Sequence, residues 1–141
     1  MKLDEILEEM EKDSVIDRDR LDTHSLEIPK VHAKWLKIYA QEKRLLNSLK
    51  LKLTELIHAK TEFYGGRAPA EEYKKANFQH KLLKAEVPKY VEADPDVLKL
   101  ASGIDQVDER IYVIQEFIKS INQRSYNIRN AVEYMRWTSG G

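Results

Sequence analysis

Cysteine is missing from the 141 residues, so disulfides and thiolate metal sites are excluded. Glycine appears five times, proline four times, and aromatics make up only 9%. A sandwich or an α/β enzyme needs more turn-forming residues than this, so neither is expected. No apolar run reaches the roughly 18 residues of a membrane span, and the acidic N-terminus is unlike a secretory signal. A soluble cytosolic protein is the expectation. Net charge is zero, so no overall positive excess announces a nucleic-acid partner. Signatures of catalysis are missing too. His24, His32, His58 and His80 form no HExxH and no i,i+4 pair. There is no GxxxxGKS/T, GxGxxG or GxSxG. Gly65-Gly66-Arg67 follows a helix, whereas an anion loop precedes one. Glu71-Glu72 and Asp108-Glu109 read as solvated helix positions. The sequence therefore leads to no enzyme, no cofactor and no metal.

What is present is charge, 34% of the chain, and long apolar periodicity. The longest stripe runs Val97, Leu100, Ile104, Val107, Ile111, Ile114, Ile118, Ile121, Ser125, Ile128, Val132, Met135. Its alternating steps of three and four are the heptad a/d pattern. Asp94-Pro95 supplies an N-cap carboxylate and a proline at the first helical position, and Thr138-Ser139-Gly140-Gly141 supplies a stop. One helix over 94–137 is predicted, roughly 60 Å long. Gly103 is its weak point, costing about 1 kcal/mol relative to Ala. β-branched residues at both a and d favour three or more helices at the seam. Ile111, Ile114, Ile118, Ile121, Ile128, Val132 and Met135 are the candidate oligomerisation residues. The pattern leaves open whether helices pack within or between subunits.

Before that helix the chain divides by charge. Residues 1–28 hold ten acidic and four basic side chains, and residues 29–64 hold eight basic and three acidic. Residues 65–84 are basic by three, 85–118 acidic by five and 119–141 basic by three. A neutral total thus hides strongly charged segments. Leu3, Ile6, Leu7 and Met10 form one face of a short helix. A polar connector follows, with Val15-Ile16 expected to dock. A second long helix is predicted from Pro29 to Tyr64, with Gly65-Gly66 as its left-handed stop. Its apolar face is interrupted at Glu42 and Lys52. Residues 65–93 read as a loop with short helical turns, with Asn77 and Pro88 opposing anything longer. The fold class expected is all-α: an elongated single-domain subunit with two long helices packed along heptad-like seams, a short N-terminal helix, and assembly into a homo-oligomer.

The polar face of the second helix carries Lys30, Lys34, Lys37, Lys43, Arg44, Lys50, Lys52 and Lys60, with Arg67, Lys74 and Lys75 beyond the turn. Trp35, Tyr39, Phe63 and Tyr64 lie among them. Cations that follow a phosphate backbone, with rings for bases to stack on, suit sequence-tolerant binding of single strands. The plainer alternative is a coiled-coil scaffold with core aromatics, solvated lysines and no affinity for DNA.

Several anchors add to this reading: Lys34-Trp35-Leu36, Phe63-Tyr64-Gly65-Gly66-Arg67, Asp94-Pro95-Asp96-Val97-Leu98-Lys99, Ile118-Lys119-Ser120 and Tyr134-Met135-Arg136. In order and spacing, over essentially the whole chain, the sequence resembles the UvsY-type recombination mediators of T4-like tailed phages. The resemblance implies a non-enzymatic protein of homologous recombination in the host cytoplasm. It implies binding to single-stranded DNA, to a RecA-like phage recombinase and to the phage single-strand-binding protein, and a ring of six or seven copies held by the C-terminal helix. The family places two basic residues, two apart, late in the second helix, where this chain has His58-Ala59-Lys60. Lys60 keeps the charge, whereas a free imidazole titrates near pH 6.5. The candidate DNA-binding set is therefore Lys60, His58, Arg67, Lys52, Lys50, Lys43 and Arg44. Lys60→Ala is expected to weaken binding and lower the salt slope.

Overall fold

Turn and capping chemistry sets several helix ends in the computed structural model, which describes residues 1–78 and 81–140. His80 and Gly141 lie outside the described residues. The order is α1 (Leu3–Ser14), a 3₁₀ turn (Arg18–Arg20), α2 (Leu21–Tyr64), α3 (Ala70–Lys75), α4 (Val87–Ala93), α5 (Pro95–Asn122) and α6 (Arg124–Thr138). No strand occurs among the described residues, so the all-α expectation holds.

Two helix boundaries differ from the sequence reading. The second helix begins at Leu21, with Pro29 inside it. Asp17 explains the earlier start: its carboxylate accepts from the Asp19 N–H at 2.9 Å and its own N–H donates to His24 Nε2 at 2.9 Å. That turn feeds directly into the helix, and the packing of Ile28 and Val31 on the core holds the segment around the proline. The last helix is interrupted at Gln123. After the break Arg124, not Ser125, occupies the inward position and is 7% exposed. Its guanidinium donates to the Asp13 backbone carbonyl at 2.6 Å. Val15 and Ile16 do not dock; both are exposed.

The chain folds as two compact units, Met1–Arg44 with the chain from Asp108 on, and Leu45–Val107. In the first unit three helices meet, as β-branched residues at both seam positions favour. Ile6 of α1, Trp35 of α2, and Ile114 and Ile121 of α5 have no exposed surface. The Trp35 ring meets Phe117 edge-on at 4.9 Å, and its indole N–H donates to Asp13 at 2.8 Å. Asp13 also accepts from Lys34 at 2.7 Å, while Glu9 accepts from the same ammonium at 3.0 Å. Burial opposes the charge on Lys34, but these two carboxylates outweigh it and raise its pKa. Glu42, which breaks the apolar register of α2, is buried and bound by Arg110 Nε and Nη2, each at 2.9 Å.

The second unit has a smaller core of Val87, Val91 and Val97, flanked by Leu53, Leu56, Tyr64 and Leu82. Gly66, at φ +81°, closes α2. The Arg67 N–H reaches the Glu62 carbonyl at 2.9 Å and the Gly66 N–H reaches that of Phe63 at 3.2 Å, the paired bonds of a Schellman stop. Asn77, at φ +52°, repeats the device after α3, with Phe78 N–H on Tyr73 and Asn77 N–H on Lys74. The residue that argued against a helix here is its C-terminal stop. Tyr73 straps α3 back onto α2, its hydroxyl donating to the Phe63 carbonyl and accepting from the Ala68 N–H.

Candidate nucleic-acid interface

A helix with 3.6 residues per turn sorts its cations by angle. On α2 the inward side carries Trp35, Glu42, Leu46, Leu53 and Lys60, and the outward side carries Arg44 and His58. In the first unit Lys43 and Arg44 are exposed, and in the second Lys50, Lys52 and His58 are exposed. None of these five pairs with a carboxylate among the described residues. Glu42 and Glu55 are the sole acids between Pro29 and Ala59, and Glu42 is buried against Arg110. What this stretch shows to water is therefore strongly positive.

Lys60 and Arg67 are placed differently. Lys60 lies on the inward side and its ammonium sits 3.2 Å from Asp94 and 3.0 Å from Asp96. Asp94 is 4% exposed. It caps α5 through the Asp96 N–H at 2.9 Å and accepts from the Tyr64 hydroxyl at 2.7 Å. Burial works against its charge, but the Tyr64 hydroxyl, the Asp96 N–H and Lys60 together hold its carboxyl below the usual range. Burial likewise opposes the Lys60 cation, and Asp96 and Asp94 more than offset it, raising its pKa. Tyr64 is pushed up to about 12, by burial first and then by Asp94. The charge that the sequence offered to DNA is thus already neutralised within the subunit. Arg67 is exposed and paired with Glu62 at 3.3 Å.

The apolar candidates divide similarly. Ile111, Ile114, Ile121 and Ile128 are buried in the chain's own core and Ile118 is half-buried. A side chain without exposed surface in one subunit has none to offer another. Val132 and Met135 are exposed, beside Tyr134 and, at 80% exposure, Trp137. The stacking candidates change as well. Trp35 has no exposed surface, and Tyr39 is half-buried beside the core. Phe63 and Tyr64 belong to a ring cluster with Tyr73, Phe78 and Tyr90 that sequence reading missed. Its signal was the recurrence of rings on either side of Gly65-Gly66.

Helices joined on apolar seams, with exposed cations on α2 unpaired among the described residues, define an all-α protein with a basic surface stretch. Residues 9–141 match the UvsY family, described as recombination, repair and single-stranded-DNA binding proteins, and the chain belongs to that family. It is similar to the recombination protein uvsY of Enterobacteria phage T4, at 21% identity over 140 residues and 99% of each chain. It also shares the fold of crystal structures of the bacteriophage T4 recombination mediator protein UvsY. One has a TM-score of 0.84 at 23% identity, covering 100% of this chain and 99% of that one. Another crystal form gives 0.82 at 22% identity, covering 96% and 98%.

Proposed function

We propose that this chain mediates homologous recombination by binding single-stranded DNA and helping a RecA-like recombinase load where single-strand-binding protein covers the DNA. The carrying observation is the set of exposed cations on α2 that no carboxylate neutralises among the described residues: Lys43, Arg44, Lys50 and Lys52, with Lys30 and Lys37 nearer its start. Cations free of internal partners release phosphate counterions without first breaking an ion pair, and that release dominates affinity for DNA. Family membership supports the same reading. Lys60 is a structural cation held by Asp94 and Asp96 and makes no phosphate contact, and Arg67 contributes less because it already holds Glu62. The protein acts as a homo-oligomer, a ring of six or seven copies, in which modest sites add through avidity. Its interface uses the exposed apolar end of α6, Val132, Met135 and Trp137, rather than the buried isoleucines.

The test is fluorescence anisotropy of a labelled single-stranded oligonucleotide across a salt series. Each lost phosphate contact lowers the slope of log affinity against log salt by about 0.7 for single strands. Lys50→Ala with Lys52→Ala lowers it by about 1.4 if both contact phosphate. An unchanged slope overturns the assignment of Lys50 and Lys52 as phosphate contacts, and no salt-dependent binding by the parent protein overturns the whole proposal in favour of a scaffold without DNA.

A further inference from the structure

Phe63-Tyr64 stands directly before Gly65-Gly66 in the chain, and the fold turns this juxtaposition into a cavity. A space of about 320 Å³ opens in the second unit beside the end of α2. Phe63, Tyr64, Tyr73 and Phe78 wall it, together with Gly65-Gly66, Lys81 and Leu82. Its size lies at the lower end of the roughly 300–1,000 Å³ of small-ligand sites. Phe63 and Tyr73 stack at 4.7 Å and 21°, and Phe78 meets Tyr64 edge-on at 5.3 Å.

Packing alone does not account for these rings. Of the four rings only Tyr64 packs against this unit's valine cluster, and all four remain half-buried. Gly66 has nothing within 4 Å of where a Cβ would stand, and a side chain there would meet the strain of φ +81°. The charge is also selective. No carboxylate lines this cavity, and Lys81 is its one charged side chain among the described residues. Lys81 is exposed and makes no ion pair among those residues. A flat aromatic ligand bearing negative charge meets stacking surface and a cation there, while the nearest carboxylates, Glu72 and Asp94, lie on the far side of the rings beside Lys75 and Lys60.

We propose that this cavity receives one nucleobase of a bound single strand, stacked on the ring cluster, with Lys81 meeting an adjoining phosphate. It rests on the single-strand reading above and adds to it a contact with bases, where the α2 cations supply contacts with phosphate alone. Binding is sequence-tolerant, because every base presents a π face.

Two probes of equal length and charge separate the contributions: an oligothymidylate and the same backbone carrying abasic sites. Anisotropy with the full chain shows the base-bearing probe bound roughly tenfold more tightly. Phe63→Leu, which keeps apolar bulk, removes that preference while leaving the salt slope unchanged. Photocrosslinking with 5-iodouracil in the probe, mapped by mass spectrometry, places adducts on Phe63, Tyr64, Tyr73 or Phe78 in the parent protein. It therefore decides the matter even if the variant fails to fold. Equal affinity for the two salt-sensitive probes, or adducts confined to other residues, overturns the base site and leaves phosphate binding standing. Absence of salt-dependent binding to either probe overturns the single-strand reading itself, and the base site with it.

Discussion

Replacing Lys60 with methionine separates a structural cation from a DNA contact. Methionine keeps an unbranched stem of similar reach and removes the charge. The loss falls on Asp94, which is 4% exposed and would keep the Tyr64 hydroxyl at 2.7 Å and the Asp96 N–H at 2.9 Å. Removing one partner of a fully buried ion pair costs about 3–5 kcal/mol, whereas exposed pairs contribute about 0.2–1 kcal/mol. The Lys60 side chain retains 23% exposure and Asp94 retains other donors, so the loss belongs between these limits, about 1–2 kcal/mol. For a chain of this length that lowers Tm by about 3–6 °C. The acid limb carries a second mark. Asp94 has a depressed pKa, so its contribution is present above the ordinary carboxylate value near 3.8 and is lost as pH falls through the folded pKa. Without Lys60 the folded pKa rises toward that value, and acid unfolding starts at higher pH. Thermal melts by circular dichroism from pH 7 to pH 2.5, beside the salt-series titration, read all three quantities. The expected result is a lower Tm, an earlier acid limb and an unchanged salt slope. A slope reduced by about 0.7 with an unaltered Tm would refute the reasoning and make Lys60 a phosphate contact.

Three further outcomes are expected. Gly103→Ala raises stability by about 1 kcal/mol in denaturant titration, because the site lies within α5 and has nothing within 4 Å of the new methyl group. Arg110→Met leaves buried Glu42 with only the more distant N-terminal ammonium at 3.7 Å and lowers stability by about 3 kcal/mol by the same measurement, while Glu42→Met with Arg110→Met recovers part of it. Met135→Asp with Trp137→Asp reduces the mass seen by light scattering with the melt unchanged, since both side chains are exposed, whereas Ile121→Asp abolishes folding outright.

Periodicity and capping made most of the fold legible in the sequence. The steps of three and four from Val97 to Ile121 identified the inward face of α5, and Asp94 and Gly66 stand where cap chemistry put them. The misplaced boundaries came from treating signals one at a time. Pro29 is a strong start signal, but the Asp17 turn and the packing of Ile28 begin α2 earlier. Asn77 looks like a helix breaker, yet a residue that tolerates positive φ is what a helix stop requires. The candidate DNA-binding residues were less legible for a related reason. Charge is visible in a sequence, but its partner is not. Lys50 and Lys60 look alike in one dimension, and only the return of the chain at Asp94 distinguishes the free cation from the neutralised one. The isoleucine seam carried the same ambiguity, because apolar spacing does not say whether the covering helix belongs to the same subunit.

The double engagement of Asp94 has a consequence for how this chain tolerates change. Residues 65–93 leave α2 at Tyr64 and rejoin α5 at Asp94, and these two residues are hydrogen-bonded to each other. The excursion carries α3 and α4, and its two ends are fastened to each other in addition to the packing of Val87 and Val91. Lengthening such a loop costs slowly, about 0.6 kcal/mol for each doubling. The exposed turn at Lys84-Ala85, ahead of α4, is thus a place for insertions that leave the long helices undisturbed, and an attachment point for a reporter domain.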